Sequence, residues 1–482
     1  MSSTIVQKIW SFCDTLRDDG LGYNDYLEQL TYLLFLKMAD ENRSKYNLPD
    51  ICEWNRLTGS TGGELQDQYE RILKSLADSG GILEKIFSGA QNKIHDSAKL
   101  KRLINLINDE DWTSTEKDIK GEIYESLLQK NAENSGAGQY FTPRPVIRAM
   151  VECLQPKPNE TISDPSCGTG GFFLGALEFL ESLPSLSEEQ KQFIKFDMFR
   201  GWEIEKATAR LCLMNLYLHG IGDLEETPDI LVQDSLKVSP NKVDIVLANP
   251  PFGKSSSDIP TIDKEQAKKE RYFLREDFWV TTGNKQLSFL QHIVTMLNEK
   301  GRAAVVLPDN VLFEGGAGEV VRKELLKQTN LHTILRLPTG IFYAQGVKSN
   351  VLFFEKKSKS EEVATKEVWY YDYRTNVHHT PKKNPLTFQH LKDFISCYSI
   401  GKLKKRKETW KDSEVEGRWR KYSYSQIVAR EKTNMDIFWL RDASLIDLDN
   451  LPEPDVIADD IIENLRAGLE SFQSVAIMLK DD

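Results

Sequence analysis

Three kinds of hydrophobic patterning follow one another along this chain. From the start to about residue 130 the apolar positions keep a helical period. Tyr26, Leu27, Leu30, Leu33, Leu34 and Met38 recur every three to four residues behind Asp25, a candidate N-cap. The same spacing predicts helices over 64–77, 98–107 and 119–129. From about residue 160 the pattern changes to short apolar runs alternating with helical stretches. Strands are predicted at 161–163, 199–202, 230–232, 303–307, 331–335 and 351–354, with a further one at 368–373. The run Val243-Asp244-Ile245-Val246-Leu247-Ala248 does not alternate from Ile245 onward and is bounded by turn formers, so it reads as a buried strand. Helices are predicted between strands at 170–181, 206–219, 287–297 and 320–327. Alternating strand and helix argues for a largely parallel sheet covered on both faces. Beyond residue 380 the pattern is charged, aromatic and irregular until 455–479, where Ile457, Ile461, Ile462, Leu465, Leu469, Phe472 and Val475 restore a helical stripe.

At 482 residues the chain exceeds one ordinary core. The small polar stretch Asn131–Gly138 is a natural boundary. We expect an all-helical N-terminal domain over 1–134, a catalytic α/β domain over 135–400, and a C-terminal extension over 401–482 whose terminal amphipathic helix packs on its own domain or docks a partner. The six cysteines are scattered, without paired spacing, which points to free thiols in a reducing compartment and to no metal site. Without a signal-peptide core or a run of membrane-spanning length, the expected location is the cytoplasm, with no membrane partner. The net charge of −11 is unfavourable for gripping a polyanion unaided. Basic residues are local, as in the run from Lys402 to Lys407.

Candidate chemistry lies at the strand ends. The 243–248 run feeds directly into Asn249-Pro250-Pro251-Phe252. Two prolines stop the strand and present carbonyl acceptors with no N–H of their own. An amide, a bare carbonyl and an aromatic ring held stiffly there could grip a planar amine, either a base or a carboxamide. Asp164-Pro165-Ser166-Cys167-Gly168-Thr169-Gly170-Gly171 links a strand to a helix and suits a nucleotide-like cofactor. It is neither a P-loop nor a G-x-G-x-x-G turn. Glu203, ending the second strand, is placed to accept from ribose hydroxyls, and Asp234, after the third, could accept from an adenine amine or simply cap a turn.

Together these motifs resemble those of S-adenosylmethionine-dependent amino-methyltransferases, with the cofactor loop ahead of the Asn-Pro-Pro-Phe tetrapeptide, the gamma order of DNA adenine N6-methyltransferases. Gly138-Gln139-Tyr140-Phe141-Thr142-Pro143-Arg144 is similar to a cofactor-contacting segment of type I restriction–modification methyltransferase subunits. The segments Gly301–Pro308, Leu337–Phe342 and Gly346–Phe354 fit the same family. The resemblance implies a Rossmann-like methyltransferase domain with S-adenosylmethionine as cofactor. Asn249, Pro250, Pro251 and Phe252 would be catalytic. Gln139, Tyr140, Phe141, Thr142, Pro143, Arg144, Asp164, Ser166, Gly168, Thr169, Gly170, Gly171, Glu203 and Asp234 would hold the cofactor, with Phe172 or Phe173 beside its adenine. Phe342 is a second candidate aromatic against the substrate base, although a core role suits it better. It also implies double-stranded DNA with a flipped adenine as substrate, and as partners a specificity subunit, a restriction subunit and a second copy of the chain. The alternatives are a methyltransferase of protein glutamine amides and a non-catalytic subunit that keeps the fold.

Overall fold

The computed structural model describes residues 23–41, 48–109, 142–223, 226–238, 240–251, 275–342, 348–357, 363–380, 384–413, 416–441 and 462. Its centre is a nine-stranded sheet in the order β3-β2-β1-β4-β5-β7-β6-β8-β9. The strands are β1 (Ile162–Asp164), β2 (Phe199–Glu203), β3 (Asp229–Val232), β4 (Val243–Ala248), β5 (Leu297–Pro308), β6 (Thr329–Leu337), β7 (Ser349–Lys356), β8 (Glu367–Asp372) and β9 (Trp419–Ser423). Strands β1 to β5 are mutually parallel, as the alternating pattern predicts. Strand β7 departs from it and runs antiparallel to both its neighbours, β5 and β6. No helix intervenes between β6 and β7 among the described residues, and a direct return can only make an antiparallel pair. Strand β9, which the irregular pattern hid, closes the far edge antiparallel to β8. It lies past residue 400, the expected end of the catalytic unit.

The helical N-terminal region contains α1 (Tyr23–Glu41), α2 (Trp54–Gly59), α3 (Gly62–Ala77), α4 (Gly81–Phe87) and α5 (Ser97–Asn108). Helix α5 starts where Asp96 accepts from the N–H groups of Ala98 and Lys99, satisfying two donors that an open helix end leaves free. The predicted helix over 119–129, the 139–141 segment, Phe252 and the terminal stripe at 455–479 (apart from Ile462) lie outside the described residues.

Helices α6 (Arg144–Leu154), α7 (Gly171–Glu181), α8 (Glu188–Phe196) and α9 (Lys206–Leu218) precede β4. Helices α10 (Lys285–Met296), α11 (Asn310–Phe313), α12 (Ala317–Gln328), α13 (Phe388–Tyr398) and α14 (Tyr424–Val428) follow it. One core joins α6, α7 and α9 to the N-terminal helices, and a second joins α10 and α12 to the sheet's other face. The N-terminal region is docked through α9: Phe35 packs on Tyr217 with ring centroids 5.6 Å apart, and Arg210 bonds to Glu28, Tyr32 and the Ser88 carbonyl. No described helix is long and apolar enough to cross a membrane. Cys153, Cys167 and Cys212 are buried free thiols, Cys397 is a half-buried one, and Cys52 is buried.

Candidate active site

The chain runs outward from β1 to β2 to β3, then returns to place β4 on the other side of β1. Strand order therefore reverses between β1 and β4, and the crevice at such a switch point is where open α/β sheets take ligands. Ile162 and Ser163 of β1 lie beside Ile245 and Val246 of β4, so the loop after Asp164 and the turn at Asn249 leave the sheet side by side.

The loop is shaped by glycine. Gly168 has φ +53°, and a Cβ built on it would meet nothing within 4 Å, so its bare face opens on free space. Behind the loop, a Cβ at Gly201 would sit 2.9 Å from Ile230 Cδ1 and 3.0 Å from both Cys167 and Phe173 side chains, which is why β2 carries glycine there. Helix α7 follows from Gly170 with no side-chain cap, leaving its first N–H groups as anion donors. The Asn215 amide on α9 donates to the Thr169 carbonyl at 3.0 Å and holds the loop from beneath.

Glu203 faces this loop. Its Oε2 accepts from the Gly168 N–H at 3.1 Å and its Oε1 from the Glu205 N–H at 2.9 Å, so each oxygen keeps further lone-pair capacity. Burial raises its pKa. Asp164 accepts from the Ser166 N–H at 2.9 Å, and burial together with the nearby Glu203 charge pushes its pKa up to about 8. Ile204, 65 % exposed beside Glu203, adds a bare apolar surface that polarity patterning had given no reason to single out. Asp234 caps the turn after β3 by accepting from the Leu236 N–H at 3.1 Å, and its other oxygen lies 3.9 Å from Lys237 Nζ.

At the turn, Asn249 is 6 % exposed. Its Nδ2 donates to Thr142 Oγ1 at 2.9 Å, while its Oδ1 is buried with no partner among the described residues. An unpaired acceptor buried at a switch point calls for a donor, and a substrate amine would supply one. The Pro251 carbonyl accepts from Gln286 Nε2 at 3.1 Å, and Ser166 Oγ lies 3.5 Å from the Asn249 carbonyl. The Pro250 carbonyl has no partner among the described residues.

Thus the structure brings together Thr142, Asp164, Ser166, Gly168, Thr169, Gly170, Gly171, Glu203, Asn249, Pro250 and Pro251. Pro143 caps α6, and Arg144 reaches Glu178 at the surface, 3.4 Å away. Phe172 and Phe173 are buried in the core, Phe173 against Phe199, so neither flanks the open side of the loop. Phe342 is also buried, 2 % exposed. Gln286 gave no signal in the sequence, being one of several polar residues at the start of α10.

The open sheet and its switch-point loop, acid and amide turn are those of an S-adenosylmethionine-dependent amino-methyltransferase. The chain belongs to the N-6 DNA methylase family, whose model matches residues 115–437, and the model of the HsdM N-terminal domain matches residues 5–107. It is 38% identical to the type I restriction enzyme StySJI methylase subunit of Salmonella typhimurium, over 98% of this chain and 95% of that one. It is equally similar, at 38% over the same shares, to the EcoKI methylase subunit of Escherichia coli. Among solved structures, a modification subunit of a putative type I restriction enzyme from Vibrio vulnificus superposes with a TM-score of 0.73 at 25% identity, over 94% of this chain and 99% of that one. The chain is accordingly an adenine-specific DNA methyltransferase of the type I modification-subunit kind, and the family gives no support to the glutamine-amide or non-catalytic readings.

Proposed function

We propose that this chain methylates adenine N6 at the β1–β4 crevice, with Asn249 and Pro250 gripping the amine. The observation that carries this is the buried, unpartnered Asn249 Oδ1 beside the glycine loop. S-adenosylmethionine supplies an electrophilic methyl group when bound. The Gly168 cradle, the free donors of α7 and the acid pair fit that cofactor. Glu203 would hold its ribose, Asp164 would offer negative charge to a cationic molecule, Ile204 would lie against its base, and Asp234 would accept from its adenine amine with the oxygen that does not cap the turn. Ser166, Thr169, Gly170 and Gly171 complete the loop, with Gln139, Tyr140, Phe141, Pro143 and Arg144 as its cover.

Adenine's exocyclic amine is a poor nucleophile because its lone pair is delocalised into the ring. Asn249 Oδ1 and the Pro250 carbonyl, accepting its two N–H groups, draw the nitrogen toward tetrahedral geometry and free that pair. Positioning and fixed dipoles then carry most of the acceleration, and no strong general base is required. Phe252 stacks on the base once it is swung out of the duplex.

In this reading a specificity subunit selects the DNA sequence, a restriction subunit cleaves, and a second copy of the chain joins the assembly in the cytoplasm. The catalytic domain runs from about 135 to 441, and the terminal stripe docks the specificity subunit. Asn249→Ala should abolish labelled-methyl transfer to adenine-containing DNA in the assembled complex while calorimetry still registers cofactor binding. Substantial remaining turnover would overturn the assignment.

A further inference from the structure

The Asn-Pro-Pro turn is held by two residues distant in sequence, and each bond has a consequence for which atoms face the substrate. Asn249 could present either edge of its carboxamide, and its last side-chain torsion is soft. Thr142 Oγ1, 2.9 Å from Nδ2 and on a residue only 7 % exposed, engages one edge and leaves Oδ1 as the free one. On the other side Gln286, 4 % exposed in the first turn of α10, donates to the Pro251 carbonyl. That bond turns the Pro251 carbonyl toward α10. Gln286 is itself set by the start of α10, where Asn284 caps the helix by accepting from the Leu287 N–H at 3.2 Å and donates to Glu314 at 3.0 Å. Among the described residues, Asn249 Oδ1 and the Pro250 carbonyl are the acceptors of the turn left without a donor.

We propose that Thr142 and Gln286 are positioning residues for methyl transfer: they hold the turn from two sides so that these two acceptors, and no other pair, face the amine. This rests on the function proposed above and assigns Thr142 a duty toward Asn249 in place of the cofactor contact that its segment suggests. Valine has threonine's shape but no hydroxyl. Replacing Thr142 with it frees the carboxamide to rotate and strands a second buried polar atom. The loss falls on the step that needs the amine gripped, and cofactor affinity is spared.

The test is single-turnover transfer of a labelled methyl group by the complex of this chain with its specificity subunit, on duplex DNA at saturating S-adenosylmethionine, with cofactor affinity measured by calorimetry. Thr142→Val should lower the rate about 10- to 100-fold, the scale of a misplaced reacting group, with cofactor affinity unchanged. Thr142→Ser, which restores the hydroxyl, should recover the rate to within about threefold of the parent. Gln286→Glu, which sets a charge against the Pro251 carbonyl, should repeat the rate loss, and it decides the matter if Thr142→Val does not fold. The inference is overturned if Thr142→Val and Gln286→Glu keep the parent rate. It is equally overturned if Thr142→Val weakens cofactor binding while its saturated rate stays normal. Asn249→Ala in the same assay separates the two levels. An active Asn249→Ala defeats the proposed function itself, whereas an inactive one beside fully active Thr142 and Gln286 variants defeats only this inference.

Discussion

Asp164 carries a proton that an unfolded chain would not hold. Burial comes first and the Glu203 charge adds to it, against the two Ser166 contacts, and the pKa reaches about 8 from an ordinary value of 3.8. Between those values the folded protein binds a proton that the unfolded chain releases. The associated stability is full below about pH 4 and is lost as pH rises through 8, by at most about 1.4 kcal/mol per pH unit. Chemical denaturation between pH 5 and 8 should therefore show stability falling with pH, and Asp164→Asn should flatten that slope. A positively charged cofactor favours the carboxylate, so its affinity should rise over the same window and binding should release protons. Calorimetry in buffers of different ionisation enthalpy checks both, and a proton count of zero would exclude Asp164 as the responding group. Residues of this kind were legible where the chemistry is local. Glycines in a strand-to-helix turn, an acid ending a strand and two prolines after an apolar run each announce themselves. The bond from Asn249 to Thr142 spans 107 positions and carries no pattern, so only the fold discloses it.

At the scale of elements, the alternating pattern predicted β1 to β8, but the way the sheet is completed depends on contacts that leave no periodicity. Strand β9 is built on Trp419, buried and stacked on Trp369 with centroids 5.2 Å apart. The basic run before it is not one solvated loop. Arg406 is buried, its guanidinium 4.6 Å from the Tyr398 ring centre, whereas Lys404, Lys405 and Lys407 stay in water or partly so. Further on, Arg322 of α12 is fully buried and donates to four carbonyls, those of Val311, Glu314, Lys432 and Thr433. Burial lowers its pKa to about 10. Two of those carbonyls lie past residue 400, and Arg336 of β6 likewise reaches Asp436 at 2.5 Å. Cutting at 400 would remove β9, bare the β8 edge, take two of the four acceptors from buried Arg322 and strip buried Arg336 of its Asp436 and Ile437 partners, a combined loss of several kcal/mol. A chain ending at 441 should remain soluble and bind cofactor, whereas one ending at 400 should aggregate or melt well below it. Equal melting temperatures would return the boundary to 400. The same contacts explain why an irregular, charged sequence belongs to the sheet: Arg406 reads as surface charge, and the carbonyls that Arg322 and Arg336 need read as loop, until the partners are known.

For the whole molecule, the charge balance decides how DNA is reached. A net charge of −11 gives the chain an unfavourable long-range field for a polyanion. The carboxyl ends of the strands deepen it, because Glu203, Glu205 and Asp234 gather after β2 and β3. Among the described residues, two arginines at this end are already engaged: Arg374 forms a bidentate pair with Asp309 at 2.6 and 2.7 Å, and Arg336 pairs with Asp436. Breaking such buried pairs to reach a phosphate would cost more than the phosphate returns. The described arginines there offer little counterion release, and in the proposed function the base is delivered to Asn249 by a partner that binds the duplex. The isolated chain should bind DNA more weakly than about 10 μM at 150 mM salt, with a shallow dependence of log affinity on log salt concentration. Adding the specificity subunit should tighten binding by at least about 100-fold and steepen that slope, since the new phosphate contacts would be the partner's. Fluorescence anisotropy across 50–200 mM salt measures both quantities. Equal slopes with and without the partner would mean that this chain contributes the phosphate contacts itself, and the division of labour proposed for the two subunits would fail.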